Sequence, residues 1–318
     1  MSFKYINPGY AELLTEKPCE TVINETYNPQ NKVCFSPYKY SDYKDYILLP
    51  YKPSEIYGLF YVTFTDRNYY ISNSFGIMFL RDYSSQRSGL QFYNDSSYNN
   101  YLNVRMLYND SASINAQISN YAQSTPYKIW FHIRMKTTEN DEPGLIEFSI
   151  NGGETFITQE FDSVATFYNR RLFLALRESG YFSNIIISDE YIDPKEEIIA
   201  LPISSTETDM TFDSETGIYT ATALNQTLLS AVDVEGLSNE YGSDSTVTGI
   251  ALVGNPAYKT ANGLTSLTAI SKDSVNSVTE FDSISLSDDT SAMILNSFST
   301  DTSIGNLQNY EFGWKAGS

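Results

Sequence analysis

The segment KIWFHIRM, residues 128–135, alternates apolar and polar side chains with a period of two. The residues of its two faces are, respectively, Phe131, Ile133 and Met135, and Trp130, His132 and Arg134. A period of two is typical of a β-strand with one face in the core, because successive side chains of a strand point to opposite sides of the sheet. We therefore predict that this segment forms a central strand.

Neighbouring segments extend the pattern. Residues 147–156, EFSINGGETF, predict two strands joined by an Asn-Gly turn, which is a strong hairpin signal. Six further apolar runs are bounded by turn residues, namely Tyr57–Phe64, Phe75–Arg81, Leu90–Tyr93, Leu102–Leu107, Arg171–Leu176 and Ser183–Ser188. Many short strands, without helical windows of about 10–15 residues between them, favour an antiparallel sandwich over alternating strands and helices.

The composition changes near residue 200. The residues from 200 onward include 15 acidic and three basic side chains, whereas the first 199 residues include 24 acidic and 17 basic ones. We predict an all-β protein with a jelly-roll domain over residues 1–199 and a smaller β-rich domain over residues 200–318. Within the second domain, Leu228–Leu237 predicts a short helix, because its apolar residues recur at helical spacing.

The charge of the chain excludes some partners. Its 318 residues include 20 Lys and Arg against 39 Asp and Glu, for a net charge of −19. Such a field repels phosphate backbones and anionic lipid surfaces, so nucleic-acid binding is not expected. The chain also lacks a run of about 18 apolar residues and an N-terminal apolar signal region, so neither membrane insertion nor a secretory signal is expected.

Catalytic motifs are absent from the sequence. His132 is the one histidine, and no nucleophile elbow or phosphate-binding loop occurs. A glucanase-type Glu-x-Asp-x-x-Glu strand is also missing, because the second glutamate is absent after Glu139, Glu160, Glu207 and Glu280. The sequence therefore predicts no catalytic residue, and His132 is interpreted as a solvent-facing or lightly packed strand residue.

Cofactor sites are equally hard to find. Cys19 and Cys34 lie 15 positions apart without a metal or redox spacing, so two unpaired thiols are favoured and a disulfide between neighbouring strands stays open. No cofactor is expected. Acidic residues in predicted loops, at Asp66-Arg67-Asn68 and Arg81-Asp82, leave Ca²⁺ binding open, although no EF-hand spacing occurs.

Tyrosine is unusually abundant, with 26 residues, of which 13 fall between Tyr38 and Tyr101. The tyrosine-rich loops also contain amides and carboxylates. Sugar recognition needs this combination, because ring faces stack on sugars while planar polar groups bind hydroxyls, but it suits protein contacts as well. The candidate carbohydrate- or partner-binding residues are Tyr69, Tyr70, Tyr83, Tyr93, Tyr98 and Tyr101.

The segments Lys128–Met135 and Leu145–Gly153 resemble the central strands of concanavalin-A-like, laminin-G-like jelly rolls. In that family a Trp-x-His-apolar strand precedes a strand that ends in apolar-Asn-Gly. The resemblance spans about residues 20–190. It implies an antiparallel sandwich that binds glycans or proteins, often with one Ca²⁺, and that in many members is not an enzyme.

The second unit is similar to terminal modules of bacteriophage and prophage structural proteins, on the segments Tyr241–Ile250, Gly254–Tyr258 and the ending LQNYEFGWKAG, Leu307–Gly317. This resemblance implies a virion protein that is made in the bacterial cytoplasm and resides in the phage particle. Its implied partners are other virion subunits, in a homo-oligomer, and bacterial surface polysaccharide.

The leading hypothesis from the sequence is thus a non-enzymatic virion structural protein of the tail, fibre or capsid decoration. Its first domain would bind surface glycan or contact other subunits. Two alternatives remain open at this point. One is a purely structural virion protein without glycan binding, and the other is a divergent polysaccharide-degrading enzyme of the same fold.

Overall fold

In a computed structural model the chain divides into two compact units, Met1–Ile199 and Ala200–Ser318. No helix in the described part of the chain is long and apolar enough to cross a membrane. The structure describes residues 4–9, 14, 21–26, 28, 31–36, 46–64, 75–82, 85–94, 101–108, 111–119, 124–139, 141–151, 156–164, 170–175, 180–201, 203–257, 264–286 and 292–318.

The first unit is an antiparallel β-sandwich, as the sequence predicts. As far as the structure describes them, all six apolar runs and both arms of the Asn-Gly hairpin are strands. In chain order the strands are β1 (Lys4–Asn7), β2 (Thr21–Ile23), β3 (Val33–Phe35), β4 (Tyr46–Leu48), β5 (Glu55–Phe64), β6 (Phe75–Asp82), β7 (Ser85–Asn94), β8 (Tyr101–Tyr108), β9 (Ser111–Ser119), β10 (Pro126–Arg134), β11 (Gly144–Ile150), β12 (Phe156–Phe161), β13 (Arg171–Ala175) and β14 (Gly180–Ser188).

Two sheets make up this unit. Sheet A has the order β12-β11-β10-β5-β14-β3-β2, and β1 pairs with β14 beside that path. Sheet B has the order β4-β13-β6-β7-β8-β9. Strands that are distant in sequence lie side by side, as β5 does between β10 and β14, so the site described below depends on long-range pairing.

The predicted central strand β10 sends Phe131 and Ile133 into the core between the sheets, where both are fully buried. The Phe131 ring lies over Gly58 of the neighbouring strand β5. A Cβ at Gly58 would come within 2.1 Å of Phe131 Cε1, so this position has no room for a side chain. The alternate residues Trp130, His132 and Arg134 point to the opposite side, here named the outer face of sheet A.

A cluster of buried asparagines ties the N-terminal part of the unit to β14. The register between β14 and β5 shifts between Ser183 and Ile186, and Asn184 at this irregularity has a left-handed φ of 49°. Its Oδ1 accepts hydrogen bonds from Asn31 Nδ2 at 2.6 Å and from Asn28 Nδ2 at 3.3 Å. Its Nδ2 donates to Asn28 Oδ1 at 3.1 Å. Asparagine suits this position because it tolerates left-handed backbone and bonds through both ends of its amide.

We expect Asn184→Ala to lower the free energy of unfolding of the first unit by about 3 kcal/mol, because it loses buried hydrogen bonds and strains the left-handed backbone. The matched variant Asn184→Gly loses the amide but keeps the backbone free, so it should cost about 1 kcal/mol less. Trp130 and Trp314 are the two tryptophans, one in each unit. Urea titration followed by Trp130 fluorescence in a Trp314→Phe chain measures the difference, and equal losses would remove backbone strain from the explanation.

Cys34 in β3 carries a free thiol that is fully buried, and burial raises its pKa to about 11. Its Sγ lies 3.7 Å from the carbonyl oxygen of Val22 in the paired strand β2. Cys19 lies outside the described residues. A thiol with a raised pKa forms little thiolate at neutral pH and reacts slowly with oxidants.

The second unit is also mainly antiparallel β-structure. One sheet has the order β15-β18-β23-β20-β21, and β16 pairs with β17 and β19 with β22. Its elements are β15 (Ile203–Thr208), β16 (Thr211–Asp213), β17 (Ile218–Thr220), β18 (Thr227–Val232), α1 (Glu235–Tyr241), β19 (Thr246–Ala257), β20 (Ser266–Asp273), β21 (Val278–Ser285), β22 (Ala292–Ser303), α2 (Ile304–Leu307) and β23 (Tyr310–Gly317).

The predicted helix over Leu228–Leu237 is wrong in most of its length. Residues 227–232 form β18, which is hydrogen-bonded to β15 on one side and to β23 on the other. The helix α1 begins only at Glu235. Pairing on both edges of β18 outweighs the helical spacing of a few apolar residues, because short apolar runs carry an ambiguous period and long-range contacts resolve it.

Candidate functional site

The outer face of sheet A brings polar residues from four strands into one row. His132 of β10 pairs in register with Tyr57 of β5 on one side and with Glu147 of β11 on the other. Glu147 in turn pairs with Thr158 of β12. Glu55 lies two residues before Tyr57 on the same face of β5. The period of two in each strand therefore places these side chains together.

His132 lies between two carboxylates. Its Nε2 is 2.6 Å from Glu55 Oε1, and its Nδ1 is 3.7 Å from Glu147 Oε2. The imidazole is 8% exposed, whereas the Glu55 and Glu147 side chains are 35% and 24% exposed. The two acids thus reach solvent while the histidine lies beneath them. Glu55, His132 and Glu147 are named the carboxylate–imidazole cluster below.

Hydrogen bonds hold each member of the cluster. The Tyr57 hydroxyl donates to Glu55 Oε1 at 3.2 Å, and the Thr158 hydroxyl donates to Glu147 Oε1 at 2.8 Å. The Tyr57 ring stacks on the His132 ring with centroids 4.2 Å apart. Burial, followed by the negative charge of Glu55, raises the pKa of Tyr57 to about 12. Tyr57 therefore keeps its proton at neutral pH and remains a hydrogen-bond donor to Glu55.

Aromatic rings surround the cluster. Trp130 is buried and makes edge contacts with Phe156 at 5.3 Å and with Tyr191 at 6.4 Å between ring centroids. Tyr191 also contacts Tyr57 edge-on at 5.7 Å. Tyr191 is 63% exposed and Phe156 is 43% exposed. Two solvent-exposed ring surfaces thus lie beside partly exposed acids.

The segment that follows β14 positions Tyr191. The Trp130 indole Nε1 donates to the carbonyl oxygen of Ile192 at 2.7 Å, and the Ile192 side chain is fully buried. Four residues further on, Glu196 forms an ion pair with Lys4 at 2.8 Å. These contacts anchor the segment directly after Tyr191, which reduces the entropy that a bound ligand would otherwise have to remove.

Three cations of this face are paired. Besides Lys4 with Glu196, the Lys128 Nζ lies 3.9 Å from Glu197 Oε1, and Arg134 Nη1 lies 3.0 Å from Glu142 Oε2. Burial lowers the pKa of Lys128, and the acids of the 193–197 segment oppose that shift. Each of these three positive charges therefore already has a protein carboxylate as its ion-pair partner.

Of the six tyrosines predicted from the sequence, the structure describes two. Tyr69, Tyr70, Tyr83 and Tyr98 lie outside the described residues. Tyr93 is a residue of β7 that pairs with Asn103, and Tyr101 is a residue of β8 that pairs with Ser119. Both strands belong to sheet B, whereas the carboxylate–imidazole cluster lies on sheet A. These six residues stay a prediction.

Sequence reasoning missed the cluster. It placed His132 correctly on a strand but predicted a solvent-facing or lightly packed residue, whereas the ring is almost fully buried between two acids. Its closest partner, Glu55, is 77 residues away in sequence. The sequence shows an acidic residue on a neighbouring predicted strand. It does not show the register in which the two strands pair.

Within the described ranges, no three histidine, cysteine or acidic side chains are arranged to hold a metal ion. The sequence left Ca²⁺ binding open at two acidic segments. The first of them, residues 66–68, lies outside the described ranges. Asp82 ends β6.

No protein-family model matches the chain, and no curated protein matches it. Among solved structures, the chain is similar to the alginate lyase Aly36B, with 14% identity and a TM-score of 0.32 over 45% of this chain and 72% of that one. A mutant of that lyase in complex with an alginate tetrasaccharide gives 13% identity and a TM-score of 0.32 over the same shares.

A third similar structure is the catalytic domain of a GH131 β-glucanase from Podospora anserina. The identity is 9% and the TM-score is 0.29, over 60% of this chain and 81% of that one. These likenesses concern the jelly-roll-like β-fold alone, so no residue role is transferred from them.

The prediction of a non-enzymatic virion structural protein is wrong on this comparison. The similar structures named above are an alginate lyase and the catalytic domain of a β-glucanase, and none of them is a virion protein. The concanavalin-A-like resemblance is confirmed at the level of a jelly-roll β-sandwich, whereas the phage resemblance has no support. The C-terminal pattern Leu307–Gly317 is too short to carry it, since it spans only the last residue of α2 and one strand, β23.

Proposed function

We propose that the chain is a polysaccharide-degrading enzyme that hydrolyses glycosidic bonds at the outer face of sheet A. The observation that carries this proposal is the carboxylate–imidazole cluster, in which two partly exposed acids flank one buried histidine. Hydrolysis of a glycosidic bond uses two carboxyl groups, one as proton donor and one as base or nucleophile. The cluster supplies two such groups.

The aromatic rings support a sugar polymer as the substrate. Sugars present C–H faces that pack on flat rings, while their hydroxyls bind planar polar groups. Tyr191 and Phe156 offer exposed rings, and both contact Trp130. A polymer that crosses this face would contact rings and acids together.

The hydrogen bonds assign roles to the two acids. Glu55 Oε1 accepts from the Tyr57 hydroxyl and lies 2.6 Å from His132 Nε2, which as an N–H would be a second donor to it; this suits an ionised carboxylate that acts as the base. In the reaction, a water molecule gives its proton to Glu55 as its oxygen bonds to the anomeric carbon. Glu147 gives a proton to the glycosidic oxygen as the bond from that oxygen to the anomeric carbon breaks. His132 positions both acids and does not itself contact the sugar.

Release of new reducing ends from a panel of polysaccharides tests this proposal. We expect product from at least one polymer with the purified full chain, and none with a preparation made in the same way from cells that lack the gene. Product release should stop when the polymer is replaced by its monosaccharide. Absence of product from neutral and charged polymers alike would contradict the proposed function.

A further inference from the structure

We propose that the site takes an uncharged polysaccharide and discriminates against chains that contain uronic acids. This inference rests on the proposed function, because it names the substrate class of that same site. It follows from the charges around the exposed rings and not from the rings themselves, which would accept either kind of sugar.

One of the two acids that reach solvent at this site is the ionised base of the proposed reaction, Glu55. It is 35% exposed and has no lysine or arginine among its ion-pair partners. A uronate carboxylate on the bound sugar would approach this like charge at short range. Because Glu55 is partly buried, solvent screens that repulsion less than it does at an open surface.

Tyr191 lies in the same negative field. Burial, then the charges of Asp193, Glu147 and Glu196, raise the pKa of its hydroxyl, and no cation contributes. The ring that offers the largest exposed surface is therefore bordered by acids. A neutral sugar that stacks on this ring is not repelled by these acids, whereas the carboxylate of a uronate in the same place is repelled.

Three of the nearby cations offer little compensation. Lys4, Lys128 and Arg134 already form ion pairs with Glu196, Glu197 and Glu142, respectively. A ligand carboxylate would have to displace a protein carboxylate from each of them, and the displaced acid would remain close by. Exchange of one partner for another of equal charge contributes little net attraction.

The experiment compares polymers that differ in charge alone. Alginate and polygalacturonate are each compared with their carboxyl-reduced forms, in which the uronic acids become neutral sugars on the same backbone, and a neutral β-glucan is added. Binding is measured by affinity electrophoresis, and cleavage is measured as new reducing ends. Both are measured at about 20 mM and about 500 mM NaCl, because added salt screens charge.

We expect the neutral form of a polymer to bind about tenfold more tightly than the uronate form at low salt, and the ratio to shrink at high salt. Asp193→Asn should reduce the ratio, because it removes one charge beside Tyr191. Glu25→Gln is the matched control in the same unit. It removes one charge from a fully exposed pair with Lys32 and should leave the ratio unchanged.

The outcomes separate this inference from the proposed function. Preferred binding and cleavage of uronate chains would overturn the inference and leave the enzyme proposal standing. Preferred binding of neutral chains without cleavage would support the inference as a binding specificity and overturn the enzyme proposal. Equal binding of both forms at both salt concentrations would overturn the inference.

Discussion

Glu147→Gln is expected to lower the rate of polysaccharide cleavage by about 10³-fold, because the amide cannot donate a proton in the way that a carboxyl group does. The substitution keeps the size of the side chain and an oxygen that accepts from the Thr158 hydroxyl. The fold of the strand should therefore be preserved, and the loss should appear in kcat. Steady-state kinetics on the best polymer of the panel measures it.

A leaving group that needs no proton gives a sharper test of the role of Glu147. In a nitrophenyl glycoside, the nitrophenolate group leaves without needing a proton. The Glu147→Gln variant should therefore cleave this substrate at nearly the rate of the unmodified chain. Glu55→Gln should lose activity on both substrates, because attack by water needs the base in either case. Glu160→Gln, which changes an exposed acid two residues after Thr158 on β12, serves as the control and should change neither rate.

Two results would contradict this assignment. If Glu147→Gln lowers the cleavage rate of both substrates equally, Glu147 is not the proton donor. If both glutamine variants keep full activity, the reaction takes place away from the carboxylate–imidazole cluster. Circular dichroism of each variant separates these outcomes from a loss of fold.

Gly313→Ala is expected to destabilise the second unit by about 3 kcal/mol, because the new methyl group collides with backbone. A Cβ at Gly313 would lie 1.8 Å from the Leu228 carbonyl oxygen and 3.0 Å from Leu229 Cα. Both residues belong to β18, which is hydrogen-bonded on both edges. The strand cannot move aside without loss of pairing to β15 or β23.

Urea titration followed by Trp314 fluorescence in a Trp130→Phe chain measures this loss in the second unit alone. Gly236→Ala is the matched control, because a Cβ there meets nothing within 4 Å and the residue lies in α1. Alanine is favoured over glycine in a helix, so the control should gain up to about 1 kcal/mol. An unchanged midpoint for Gly313→Ala would mean that β18 and β23 are further apart than the structure places them.

Strand identity was largely predictable because it depends on consecutive residues. Phe131 and Ile133 alternate with Trp130 and His132, and this local pattern alone indicated which side chains enter the core. The same argument failed at Leu228–Leu237. There the apolar spacing is compatible with a helix, and pairing with β15 and β23 makes residues 227–232 a strand.

The candidate site was not predictable in the same way. Composition drew attention to tyrosine-rich segments, but an abundance of one residue type says nothing about which strands become neighbours. The two acids beside His132 are unremarkable among 39 acidic residues. Their meaning depends on the pairing of β5 and β11 with β10, which no short motif encodes.

The amino-acid sequence by itself determined the all-β class and the inward and outward faces of β10, because both follow from a period of two in adjacent residues. Tertiary structure alone decided that Glu55, 77 residues before His132, and Glu147 on the next strand enclose one imidazole. The physical reason is that strand register is set by hydrogen bonds and core packing over the whole sheet. A shift of one residue would turn those acids to the opposite face.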